Sequence, residues 1–65
     1  MTAQEVIRRI QADGWRELRG RMSGHKQFKH PDKPGKVTVP MHTKPKDLGI
    51  STLKNIELQS GVKLT

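Results

Sequence analysis

The stretch from Ser23 to Phe28 holds the residues with the clearest capacity for chemistry. Its order is Ser-Gly-His-Lys-Gln-Phe, so His25 follows a flexible glycine and precedes a lysine. An imidazole takes or gives a proton near neutral pH, and nearby cations stabilise developing negative charge. Beside RNA, which carries its own 2′-hydroxyl nucleophile, such a group needs no metal to break a phosphodiester. The stretch therefore offers His25 as a general acid or base.

Alternation along a strand predicts where His25 lies. Side chains of successive strand residues point to opposite faces of a sheet. His25, Gln27 and Lys29 would share one face, and Lys26, Phe28 and His30 the other. Phe28 is the only phenylalanine and is expected in the core. His25 should then lie on the opposite, open face.

Charge is the strongest signal in the composition. Thirteen Lys and Arg residues against six Asp and Glu leave a formal net charge of +7 on 65 residues. This balance favours a polyanionic partner, which can be a nucleic acid, an acidic protein or an anionic membrane surface. The cations nearest to His25 in the sequence are Arg19, Arg21, Lys26 and Lys29.

Other chemistries fit the sequence less well. The three histidines have no ligand spacing, and the absence of cysteine excludes thiolate zinc sites and disulfides. Ser23 has no evident orienting acid, and phosphate-cradling glycine motifs are missing. We therefore expect neither a metal nor a cofactor. No apolar run is long enough to span a membrane and no signal peptide is visible, which favours a soluble, intracellular protein.

The chain length predicts one domain covering residues 1–65. A capping box at Thr2 and Glu5 predicts a helix over residues 3–13 that ends at Gly14. Trp15 should then be a core anchor at the start of the first strand. The predicted strands are 15–19, 25–30 and 36–39, with turns at 20–24 and 31–35.

A polar, basic loop over residues 41–47 should lead into a second helix. That helix is predicted from Ile50 or Ser51 to Ser60, with Ile50, Leu53 and Ile56 on its apolar side and Gly61 just past its end. Leu58 does not fall on this stripe. The fold class is thus α+β, in the order α-β-β-β-α, with both helices packed on one face of a three-stranded antiparallel sheet.

In its ordered motifs the sequence resembles the HicA family of bacterial toxin ribonucleases. The likeness runs from about Val6 to Gly61 and is carried by these segments: Asp13-Gly14-Trp15, Ser23 to Phe28, His30 to Gly35, Val37 to His42, Lys46-Asp47-Leu48 and Thr52 to Ile56. The resemblance implies a double-stranded-RNA-binding-domain-like fold and a cytoplasmic enzyme that cleaves messenger RNA. It also implies restraint by an antitoxin of the HicB type.

The family's catalytic histidine lies in a Gly-Ser-His motif at the start of the second strand, which by position is His25. Here the order is Ser23-Gly24-His25, and the segment after Trp15 is one residue longer. A one-residue slip would turn His25 to the other face. We expect an extra turn residue to absorb the difference, because Gly20 and Gly24 suit a turn.

The leading hypothesis is a metal-independent endoribonuclease toxin with His25 as its catalytic residue. The predicted RNA-binding residues are Arg19, Arg21, Ser23, Gly24, Lys26 and Lys29. Two alternatives remain. One is a non-catalytic RNA- or DNA-binding module, and the other is an interaction protein that neutralises an acidic partner.

Overall fold

The structure is a computed structural model that describes residues 1–19, 24–41 and 47–65. Its elements, in chain order, are α1 (Ala3–Ala12), β1 (Arg16–Glu17), β2 (His25–Lys29), β3 (Lys36–Pro40) and α2 (Ile50–Ser60). The predicted order α-β-β-β-α is confirmed, although β1 is shorter than predicted. The predicted turn over 20–24 and loop over 41–47 lie outside the described residues, except for Gly24, Met41 and Asp47.

Helix α1 begins where the sequence predicts. The Thr2 hydroxyl accepts a hydrogen bond from the Glu5 N–H at 3.2 Å, which satisfies one of the unpaired donors of the first turn. Val6 and Ile10 lie one turn apart and are fully buried. The helix ends before Gly14, whose φ of +110° favours glycine. Local signals therefore define both ends of α1.

The three strands form one antiparallel sheet in the order β1-β2-β3. Phe28 of β2 pairs with Val37 of β3, and Lys26 pairs with Val39. Phe28, Val37 and Val39 therefore share a face, and all three are fully buried. We call the opposite side the outer face; by register it carries Arg16, Leu18, His25, Gln27, Lys29, Lys36, Thr38 and Pro40.

Both helices cover the face that carries Phe28. Val6 and Ile10 of α1 and Leu53 and Ile56 of α2 join the three strand residues in one core. Trp15 belongs to the same core at 1% exposure, and its indole Nε1 donates to the Ser60 carbonyl at 3.1 Å. The prediction that Trp15 is a core anchor is confirmed, and the bond joins the residue before β1 to the end of α2.

Helix α2 departs from the prediction at Ile50. Leu53 and Ile56 are buried as predicted, but Ile50 is 60% exposed. Each step of three residues falls 60° short of a full turn, so a stripe read only at i+3 drifts around the helix. The buried face centres on Leu53, Ile56 and Ser60, which leaves Ile50 at its margin. Gly61 ends the helix with φ +71°, as predicted.

The outer edge of β3 is largely closed to further pairing. The Met41 N–H donates to the Gly24 carbonyl on the side of β3 that faces β2. Because backbone groups alternate along a strand, those of residues 36, 38 and 40 point toward the free edge. The Thr38 N–H is taken by the Gln59 side chain of α2 at 3.1 Å, and Pro40 has no N–H to offer.

Candidate active site

His25 is the first residue of β2 and lies on the outer face, exposed to solvent. Its strand neighbour Gly24 has φ +76°, and the Gly24 carbonyl accepts from the Met41 N–H at 2.6 Å. This geometry begins the strand at His25 and places Phe28 three residues later in the core. The predicted direction of His25 is confirmed, so the Ser-Gly-His order does not turn it inward.

His25 opens into a cleft of about 270 Å³ that borders β1, β2 and the first residue of β3. The cleft is lined by Glu17, Leu18, Arg19, His25, Lys26, Gln27 and Lys36. Three of the residues predicted for the site, namely His25, Arg19 and Lys26, therefore border the same space. An imidazole can exchange a proton while neighbouring cations hold an anion.

Lys26 borders this cleft, although by register its side chain lies on the same face as Phe28, where it forms an ion pair with Glu17. Its Nζ lies 3.7 Å from Glu17 Oε1, and both side chains are nearly half exposed. Exposed pairs of this kind contribute only about 0–1 kcal/mol to stability. Glu17 therefore positions Lys26 at little energetic gain, and an anionic ligand can compete for the ammonium.

Sequence reasoning missed a row of cations across the outer face. Arg16 lies directly opposite Lys29, and Lys29 lies directly opposite Lys36. Among residues 1–19, 24–41 and 47–65, no ion pair joins these three side chains to a carboxylate. Like charges that face each other across strands destabilise a sheet, so this cationic row (Arg16, Lys29 and Lys36) is suited to an anionic ligand. Only Lys29 was predicted. In a hairpin, residues at similar distances before and after the loop pair with each other, so the Pro31–Gly35 loop could have indicated Lys36 as the partner of Lys29.

The predicted set is therefore divided. Lys29 lies four residues from His25, or roughly 13 Å along the strand, and belongs to the cationic row rather than to the His25 cleft. Gly24 adjoins His25, whereas Arg21 and Ser23 lie outside the described residues. So do His42, Lys44 and Lys46 of the predicted basic loop.

His30, one residue beyond β2, has a different environment. Its Nδ1 accepts from the N–H groups of Asp32 at 3.0 Å and Lys33 at 3.2 Å. Its Nε2 lies 2.8 Å from the Asp13 carbonyl. A neutral ring with its proton on Nε2 satisfies all three contacts, since Nδ1 must be the acceptor. The side chain is 7% exposed and meets Trp15 edge to face at 5.2 Å.

Asp13 and Lys33 complete this second cluster. Lys33 Nζ donates to Asp13 Oδ2 at 2.5 Å and to the Ser60 carbonyl at 3.2 Å. The hydrogen bond from Lys33 lowers the pKa of the Asp13 carboxyl. We call His30, Asp13, Lys33, Trp15 and Ser60 the clasp, because together they join the end of α1, the β2–β3 loop and the end of α2. His25 and His30 thus lie on opposite faces and cannot share a metal.

Comparison with known proteins identifies the family of this chain. A family model described as the HicA toxin of bacterial toxin–antitoxin systems matches residues 3–62. The chain belongs to the HicA toxin family. This membership confirms the resemblance and implies an antitoxin partner. A search of curated proteins found no match.

The helices of this HicA toxin are short, and its site lies within the region that the family model matches. Within residues 1–19, 24–41 and 47–65, no helix is long and apolar enough to cross a membrane. The family match covers the described parts of both the His25 cleft and the clasp. The outer face therefore lies within the region that defines the family.

Proposed function

We propose that this toxin is a metal-independent endoribonuclease that cleaves messenger RNA, with His25 as general acid or base. The observation that carries the proposal is the exposure of His25 in a cationic cleft on the face that the helices leave uncovered. Membership of the HicA toxin family supports it independently.

RNA supplies most of the reacting groups. The 2′-oxygen loses its proton and attacks phosphorus, the bond from phosphorus to the 5′-oxygen breaks, and that oxygen gains a proton. His25 transfers one of these protons and solvent water the other; such a proton transfer contributes about 10²–10⁴-fold to a rate. The products carry a 2′,3′-cyclic phosphate and a 5′-hydroxyl. No oxidation state changes in this step, and the proposed reaction uses no metal ion.

The neighbouring residues hold the phosphate. Arg19 and Lys26 border the cleft beside His25 and stabilise charge that develops on the phosphorane oxygens. Gly24, without a side chain, lets the RNA backbone approach His25. Arg21 and Ser23 keep the phosphate-binding role that their sequence positions predict, and Lys29 attracts the phosphates more distantly.

The antitoxin partner is, in this proposal, of the HicB type and acidic where it covers the outer face. The cationic row lacks carboxylate partners within the described residues, so an acidic surface would relieve its repulsion as RNA does. Co-purification with an acidic protein encoded next to the toxin, lost at high salt, is the expected result.

Expression of wild type and His25→Ala from an inducible promoter tests the proposed enzyme. The wild type should stop growth and fragment messenger RNA, and His25→Ala should do neither at equal protein level. Lys54→Ala is the matched control, because Lys54 is exposed on α2 away from the outer face. Equal growth and equally intact RNA for wild type and His25→Ala would contradict the proposal.

A non-catalytic RNA- or DNA-binding module is the second candidate. The cationic row favours it, because three unneutralised cations bind phosphates whether or not a bond is broken. This candidate predicts salt-dependent binding that is unaffected by His25→Ala, without any cleavage product.

A further inference from the structure

A second hollow lies on the outer face next to the His25 cleft. It has a volume of about 350 Å³ and is lined by Arg16, Leu18, Lys29, His30 and Pro31. Leu18 borders both spaces and so divides them. The hollow therefore continues the outer face away from His25, along β1 and β2.

The lining combines an apolar surface with two cations. Leu18 is half-buried, and its N–H donates to the Gln27 carbonyl at 2.8 Å, which fixes it on the outer face beside β2. Pro31 adds a second apolar wall. Arg16 and Lys29 lie directly opposite each other at the rim and belong to the cationic row. A ligand for this hollow needs a flat apolar part with negative charge beside it.

We propose that this hollow is a subsite for one nucleobase of single-stranded RNA. The base packs on Leu18 and Pro31, and its flanking phosphates lie on Arg16, Lys29 and Lys36. The inference rests on the proposed function, since it extends the RNA path that begins at His25. Because His25 and Lys29 lie roughly 13 Å apart along the strand, the base belongs to a nucleotide beyond the two joined by the scissile bond.

The charges favour a nucleotide over a protein side chain. An aromatic residue of a protein partner would fill the apolar part, but the carboxylates that neutralise the cations would have to come from other residues of that partner. A nucleotide brings a phosphate on either side of its base, and these neutralise the repulsion within the cationic row. The two parts of the hollow thus match the two parts of one ligand.

An abasic scan tests the subsite. The protein is the His25→Ala variant, which keeps RNA uncut, and the probe is a fluorescent single-stranded oligoribonucleotide in which one abasic nucleotide is moved along the chain. Anisotropy should show about tenfold weaker binding when the abasic nucleotide reaches the subsite, the loss expected for one apolar contact of this size. An abasic nucleotide at any other position should weaken binding by less.

A second variant localises the effect. Adding Leu18→Ser should weaken binding of the intact RNA and abolish the abasic penalty, since the base then has no apolar wall to lose. Leu58→Ser is the matched control, because Leu58 is 85% exposed on α2, and it should preserve the penalty. Circular dichroism checks that both variants fold. If either variant does not fold, the abasic scan with Leu18 intact still tests the subsite.

Each contrary outcome has its own meaning. RNA binding with a flat abasic scan overturns the subsite, including the case where a protein side chain occupies the hollow, and leaves the proposed enzyme in place. A penalty that survives Leu18→Ser also overturns it. Absence of both RNA binding and wild-type cleavage overturns the subsite and the proposed function together.

Discussion

The two histidines of strand β2 and its end, His25 and His30, differ in almost every property of their surroundings. His25 is exposed in a cleft with Arg19 and Lys26. His30 is nearly buried, with both ring nitrogens in hydrogen bonds and its ring against Trp15. The same residue type is thus exposed at one end of a strand, where we propose proton transfer, and holds three parts of the chain together at the other.

Charge pairing differs between the two regions in the same way. In the clasp, Asp13 lies against Lys33. On the outer face, Arg16, Lys29 and Lys36 line up without a carboxylate in the described residues. Charges that the fold neutralises itself indicate a structural role, and charges that it leaves opposed indicate a place for a ligand.

The largest expected effect is on the reaction rate. With purified protein, His25→Ala should reduce RNA cleavage by about 10²–10⁴-fold, because the proton transfer loses its side chain. Its free energy of unfolding should stay within about 0.5 kcal/mol of wild type, since His25 is exposed. Gel analysis of labelled RNA and urea unfolding measure the two. A variant that cuts RNA at the wild-type rate would remove His25 from the chemistry.

The opposite result is expected for His30→Ala. Loss of a buried ring with three hydrogen bonds should lower the free energy of unfolding by about 3 kcal/mol. Below its melting temperature, the folded variant should still cleave RNA at a rate near that of wild type. Thermal and urea unfolding measure the stability, and a stable but inactive His30→Ala would reverse the assigned roles.

Gly14→Ala sharpens the assignment of His30. A Cβ at Gly14 would lie 2.8 Å from His30 Nε2, and φ there is +110°. The substitution should cost about 1–3 kcal/mol, and less when His30→Ala has already removed the ring. A double-variant cycle by urea unfolding measures this coupling; additive losses would mean that the ring and the glycine do not interact.

Lys36→Gln should separate stability from binding. Removing one of the opposed cations should raise the free energy of unfolding by about 0.2–1 kcal/mol. RNA affinity should fall, with the salt dependence reduced by about 0.7 in logarithmic slope. Lys54→Gln removes the same charge from α2 and should change neither. Lower stability in Lys36→Gln would argue against repulsion within the cationic row.

The smallest expected effect is the pH dependence of the stability that the clasp contributes. Lys33 holds the pKa of Asp13 below its ordinary value of 3.8, so the pair stabilises the folded state above that value and this contribution is lost as pH falls through the lower, folded pKa. The stability difference between wild type and Asp13→Asn should therefore shrink between pH 7 and pH 3 in urea unfolding. The lowered pKa of Glu57 acts equally in both proteins and cancels. A difference independent of pH would contradict the ion pair's role.

Local signals in the sequence sufficed for much of the fold. The capping residue Thr2, the helix stop at Gly14 and the alternation that buries Phe28 each act over a few residues, and all three predictions are confirmed. The direction of His25 followed from the same alternation. Its catalytic role stays a prediction.

The remainder depends on contacts between distant residues. The cationic row requires the register of three strands, which periodicity within one strand does not specify. The clasp joins Asp13 to Lys33 and Trp15 to Ser60 across gaps of 20 and 45 residues. Ile50 was misplaced because its exposure depends on where the sheet meets α2.

The edge of β3 bears on how this sheet can grow. With Gln59 occupying the Thr38 N–H and a proline two residues on, an added strand would find few donors there. Edge-to-edge stacking of copies needs both margins of a sheet. A protein that closes one of them is protected from open-ended fibres at the high local concentrations of its own synthesis.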